Sequence, residues 1–148
     1  MRILFLGDVV GISGCSKILN NLKDQIKKRD INFVIVNGEN SAEPGVGLTK
    51  EVCNDFFNCG VDVITTGNHV WDQKEIMSYI EKENRLLRPH NLFEPSPGKG
   101  FEIYETSNNL KIGVLNLMGN VFMKKCEDVF ETSKNFLRNQ KLKKDYDL

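Results

Sequence analysis

The sequence predicts an α/β fold, a largely parallel sheet flanked by helices with a β-hairpin added, on three observations. Short, mostly apolar runs at residues 3–6, 33–36 and 61–66 have the length of strands and the continuous character of strands buried on both faces. Each run ends in a polar, glycine-containing loop and is followed by a stretch with helical spacing. Strand–loop–helix units repeated in this way need crossover connections, which make neighbouring strands parallel.

Residues 3–6, Ile-Leu-Phe-Leu, are the first strand and run into GDVVGISG. Ile18, Leu19, Leu22 and Ile26 then mark one face of a helix whose other face carries lysines. Residues 33–36, Phe-Val-Ile-Val, are the second strand, closed by NGEN. Beyond a loop marked by Gly45 and Gly47, Thr49 reads as the N-cap of a second helix with Val52, Phe56 and Phe57 as its apolar stripe. Gly60 stops that helix, and residues 61–66 form the third strand. Asp72, with Glu75 three residues on, reads as the N-cap of a third helix that buries Ile76, Met77 and Ile80.

The pattern changes at RPHNLFEPSPGKG, residues 88–100, which is rich in Pro and Gly and irregular. Residues 101–105 and 111–117, with Ser-Asn-Asn between them, predict a hairpin. A final helix has Val129, Phe130, Phe136 and Leu137 as its apolar side, and the closing DYDL resembles the start of another strand.

At 148 residues the chain fits a single domain, 1–148, able to bury about two thirds of its unfolded surface. Twenty basic and twenty acidic side chains cancel, so no global field draws the chain to nucleic acid or to an anionic membrane. A stable nucleic-acid partner is therefore not indicated, although a metal could supply positive charge locally for a phosphorylated substrate. Cys15, Cys53, Cys59 and Cys126 form no C-x-x-C pair, and Cys53 and Cys59 suit small buried roles. That usage fits a reducing cytoplasm. The N-terminus is too short in apolar residues for a secretory leader, and no run approaches the ~20 residues of a membrane span. A cytoplasmic location is expected.

In an open parallel sheet, ligands gather at the carboxyl ends of the strands. Here those ends carry Asp8, then Glu39 and Asn40, then Asn68 and His69, each beside a glycine. Singly, Asp8 reads equally as a turn residue, Glu39-Asn40 as a solvated loop, Asn68 as a left-handed turn and His69 as a structural histidine. Their repetition at one topological position favours chemistry. Carboxylate and carboxamide oxygens with an imidazole suit Mn, Fe or Zn better than a thiolate site does. A bridging carboxylate can hold two metals ~3.5–4 Å apart, and such a pair can clamp a phosphoryl group for in-line attack. His69 would then act as general acid.

The rivals are weaker. Cys15 and Ser16 lack an evident His–Asp partner set. GDVVGISG has the spacing G-x-x-x-G-x-x-G, which is neither the dinucleotide fingerprint nor a P-loop. His90, in RPHN, reads as a loop histidine, with Arg88 and Asn91 as candidate substrate-side neighbours.

Five stretches, MRILFLGDVVG, VNGENSAEPGVGLT, GVDVITTGNHVWDQKE, RPHNLFEPSPGKG and KIGVLNLMGNVFM, resemble the calcineurin-like metallophosphoesterases, specifically the YmdB-like branch. They occur in the family's order and cover nearly the whole chain. The resemblance implies the N-terminal part of an αββα sandwich and a phosphodiesterase acting on 2',3'-cyclic nucleotides or another small, RNA-derived phosphodiester. It implies two metal ions, Fe or Mn before Zn or Mg, with Asp8 and Asn40 on the first, Glu39 bridging and Asn68 on the second. His69 is the implied catalytic residue, donating a proton while a metal-held hydroxide attacks phosphorus. The family also uses D-F-H-type and G-T-H-x-H motifs, and this sequence contains neither. The expectation is therefore an incomplete domain, truncated before its later histidine ligands and open to self-association through uncovered strand surface. The alternative expectation is a catalytically impaired binding or regulatory module.

Overall fold

Four strands, β1 (Ile3–Leu6), β2 (Phe33–Asn37), β3 (Val63–Thr65) and β4 (Leu86–Leu87), form one parallel sheet in the order β1-β2-β3-β4. The structure is a computed structural model and describes residues 1–123 and 125–148. Register aligns Leu4 with Val34, Val36 with Ile64, and Ile64 with Leu86. Alternate side chains of each strand therefore reach opposite faces, as the pleat requires.

One face is covered by α1 (Gly11–Arg29), α2 (Lys50–Cys59) and α3 (Glu75–Tyr79). Val34, Val36, Ile64 and Leu86 pack there with Cys15, Leu22, Cys53, Phe56 and Ile76 from those helices. The other face receives a hairpin of β5 (Phe101–Glu105) and β6 (Lys111–Leu115), antiparallel across Phe101↔Leu115 and Glu105↔Lys111. Phe33, Val63 and Leu87 meet Ile112 and Val114 in this second core. The two cores explain the continuous apolar runs: odd and even residues of β2 are both buried, against different layers. The hairpin does not cover β1, so Ile3 and Phe5 remain 45% and 59% exposed.

Local chemistry fixes the ends of these elements. Thr49 accepts a hydrogen bond from Val52 N at 3.2 Å and caps α2 as expected. Gly60 takes φ 109° and closes the helix through its N–H to Phe57 O and Val61 N to Phe56 O. Helix α1 begins at Gly11, so Gly11 and Gly14 belong to the helix and the GDVVGISG stretch does not form an extended glycine loop. A Cβ on Gly14 would stand 3.0 Å from the Val9 side chain, so close packing accounts for that glycine.

Four expectations are corrected. The third strand is Val63–Thr65 only, because Asp62 turns its carboxylate onto Val34 N at 2.7 Å. The third helix starts at Glu75 with Lys74 at its N-cap and no side-chain capping bond, and Asp72 is engaged elsewhere. Ile76 and Ile80 are buried as expected, but Met77 is exposed. The last helix, α4 (Val129–Asn139), has no fully buried residue, and Phe130 and Leu137 face outward while Phe136 turns inward against Phe101. Strand β4 lies just before the stretch read as irregular and has only two residues, too short to show a period. The closing residues do run beside β6, with Asp147 N and Leu148 N donating to Lys111 O, and Gly113 N to Leu148 O. Among the described residues, no helix is long and apolar enough to cross a membrane.

Candidate active site

Strands β1, β2 and β3 deliver the polar residues to one edge of the sheet, and backbone hydrogen bonds tie the three exit loops together. Val9 N donates to Asn37 O at 3.0 Å, Gly11 N to Asn40 O at 2.9 Å, and Gly38 N to Thr65 O at 3.0 Å. Asp8 sits at φ 41°, a left-handed conformation that Asp tolerates better than most residues. Its carboxylate accepts from Asn40 Nδ2 at 2.7 Å. With its nitrogen so engaged, Asn40 can offer only Oδ1 to a cation.

Glu39 is held by its own N–H, which donates to Asn37 Oδ1 at 3.2 Å. Its Oε2 is buried and has no hydrogen-bond partner among the described residues. The carboxylate occupies the space where a Cβ of residue 67 would be: a methyl on Gly67 would come within 2.7 Å of Glu39 Cδ. The glycine at this position is a requirement of close approach. Asn68 and His69 follow directly, in the turn that leaves β3. Asn68 does not take the left-handed conformation.

His69 Nδ1 lies 2.6 Å from Asp72 Oδ2, and Asp72 N donates to His69 O at 3.2 Å. Asp72 thus belongs to the site edge, a role that the capping-box reading of the sequence missed. The spacing of His and Asp three residues apart, in a turn, was the available signal.

The fourth strand brings Arg88, His90 and Asn91 toward the same end of the sheet, but not as substrate-side neighbours. The Arg88 guanidinium is buried and holds Glu94 Oε1 at 2.6 Å and the carbonyls of Pro89, Ser96 and Pro97. Asn91 is fully buried, donating to Met118 O and Glu127 O and accepting from Met118 N. Both organise the 88–98 loop. His90 packs edge-on to Phe136, ring centroids 5.5 Å apart, where burial and then Arg88 push its pKa below the usual histidine value. It lines a cavity of about 700 Å³ with Glu127, Asp128 and Glu131. Asn116, from the end of β6, donates to Thr66 O at 2.8 Å and Leu87 O at 3.1 Å, pinning the hairpin behind the site.

The donor set fits a hard or borderline cation. A buried carboxylate oxygen without a partner is costly, and a metal would satisfy it. Asp8, Glu39, Asn40 and Asn68 are the residues that could supply oxygen donors to a metal. Among the described residues no three His, Cys, Asp or Glu side chains converge as a ready-made metal cluster, so the carboxamides would have to complete the set. All four cysteines are buried and free, and burial raises each thiol pKa. They lie outside this edge.

A parallel sheet with helices on one face, a hairpin on the other and a polar carboxyl edge defines a layered α/β fold, and solved structures share it. A crystal structure described as a novel phosphatase from Mycoplasma pneumoniae superposes with a TM-score of 0.84 at 33% identity, covering 95% of this chain and 52% of that one. A crystal structure described as a hypothetical protein from Thermus thermophilus superposes with a TM-score of 0.87 at 36% identity, covering 95% of this chain and 54% of that one. The chain belongs to the YmdB-like protein family, whose sequence model matches residues 4–148. The 2',3'-cyclic-nucleotide 2'-phosphodiesterase of Bacillus subtilis (strain 168) is 42% identical over 130 residues, 88% of this chain and 48% of that protein. The chain thus spans about half the length of the relatives it matches.

Proposed function

We propose that this protein is a metal-dependent phosphodiesterase of the 2',3'-cyclic-nucleotide type. The single observation that carries the reading is the buried Oε2 of Glu39 at the carboxyl edge, without a hydrogen-bond partner among the described residues, seated against Gly67 and flanked by Asp8–Asn40 and Asn68. Asp8, Glu39, Asn40 and Asn68 would hold two first-row metal ions, iron or manganese by preference. Such ions, when bound, supply an activated water nucleophile and neutralise charge on the phosphoryl oxygens. Glu39, with two oxygens, is the residue suited to bridging. The 2.7 Å bond from Asn40 fixes the Asp8 carboxylate so that it meets a cation already oriented. His69, on the next turn, donates a proton to the departing oxygen. The name of the Bacillus subtilis relative supports the choice of a 2',3'-cyclic nucleotide as substrate.

The test is hydrolysis of 2',3'-cyclic nucleotides with added Mn or Fe. Asp8→Ala and Glu39→Ala are each expected to lower kcat/KM by about 100-fold or more. Full activity in the double variant contradicts the reading.

A second reading, a metal-poor binding or regulatory module, is favoured by one observation. Among the described residues the edge offers two carboxylates but no third His, Cys, Asp or Glu side chain converging with them. Metal analysis of the purified chain separates the two. Stoichiometric loading excludes the module reading, and absence of bound metal with retained folding supports it.

A further inference from the structure

We propose that Asp72 is a positioning residue for His69, an inference that rests on the reading of His69 as proton donor. Asp72 Oδ2 lies 2.6 Å from His69 Nδ1, in a pair whose side chains are 31% and 36% exposed. Two ordinary duties for an aspartate at this place are already filled by other groups. The turn is closed by backbone alone, through Asp72 N to His69 O at 3.2 Å and Val70 N to Gly67 O at 3.3 Å. Helix α3 begins three residues later with Lys74 at its N-cap, so the carboxylate caps nothing. What remains is its contact with the ring.

That contact has a chemical consequence. A carboxylate is an acceptor only, so it selects a proton on Nδ1 and leaves Nε2 as the nitrogen presented outward. The donor is the imidazolium, protonated on both nitrogens: as the P–O bond breaks, its Nε2 proton passes to the leaving oxygen, which becomes a hydroxyl, and the ring is left in the neutral Nδ1–H form. Nδ1 keeps its own proton throughout, held by Asp72. The carboxylate also limits rotation of a ring that is more than a third exposed.

The test compares two phosphodiesters, a 2',3'-cyclic nucleotide, whose alkoxide leaves poorly, and bis(p-nitrophenyl) phosphate, whose phenolate needs no acid. Asp72→Asn and His69→Ala are both expected to lower kcat on the cyclic substrate by roughly tenfold or more, with KM little changed, and to leave the nitrophenyl substrate nearly unaffected. Equal losses on both substrates in Asp72→Asn, with the selective loss kept in His69→Ala, would overturn the role of Asp72 while sparing His69. Absence of the selective loss in His69→Ala overturns the His69 reading and the proposal with it. A second readout needs no turnover: the ring 15N spectrum of neutral His69 should show the Nδ1–H form in the wild type and a shift toward Nε2–H in Asp72→Asn. An unchanged tautomer in the variant would equally overturn the proposal.

Discussion

At the scale of single residues, the site edge is held by conflicts that a ligand would resolve. Among the described residues Glu39 Oε2 is buried without a partner, which costs about 1–3 kcal/mol when no cation is present. Glu39→Gln replaces a charged group with a neutral one that is cheaper to bury, so it should raise stability by about 1 kcal/mol in chelator while weakening metal binding. Urea unfolding with and without Mn checks both signs. Gly67→Ala would drive a methyl into the Glu39 carboxylate, and a displacement of that size should lower activity on the order of 100-fold. The sequence made Asp8, Glu39, Asn40, Asn68 and His69 legible because residue type and strand-end position are both local. It hid Asp72, because the same spacing that signals a capping box also suits a carboxylate reaching back to a histidine. It also hid the burial of Arg88 and Asn91, whose partners lie in segments without periodicity: Pro89, Glu94, Ser96 and Pro97 for Arg88, Met118 and Glu127 for Asn91.

At the scale of elements, caps and strand ends carry measurable stability. Thr49→Ala removes the acceptor for Val52 N and should cost about 1 kcal/mol, read as a lower urea midpoint. Asp62 plugs the start of β3 through Val34 N, and burial raises its pKa above the ordinary 3.8. The folded state then holds this proton more tightly than the unfolded chain. Stability from Asp62 is complete below about pH 3.8 and declines as pH rises through the raised value. Asp62→Asn keeps an acceptor for Val34 N and should remove that decline, seen as a smaller loss of stability with rising pH than in the wild type. The long apolar runs and the glycine stops were readable because they repeat over many residues. Strand β4 was not, since Leu86 and Leu87 are defined only by pairing to Ile64 and Thr65. The orientation of α4 was not either, because an apolar stripe does not say which of its residues find a neighbour.

At the scale of the whole molecule, three layers place the polar carboxyl edge at the end of a sheet packed between helices and hairpin. The cover is uneven. Ile3, Phe5, Ile35, Val114 and Leu148 border a groove of about 600 Å³ beside β1. Exposed apolar surface of this kind favours association, so the purified chain should form concentration-dependent oligomers by light scattering, and Phe5→Lys should reduce them. The proposed metal site lies at the carboxyl edge of the sheet, and the decisive measurement is equilibrium Mn(II) binding, followed by electron paramagnetic resonance of the free ion in the wild type and in Asp8→Ala/Glu39→Ala. Saturable binding that is lost in the double variant, with folding retained, is the predicted result. Equal binding by both proteins would contradict the assignment of this edge as the metal site.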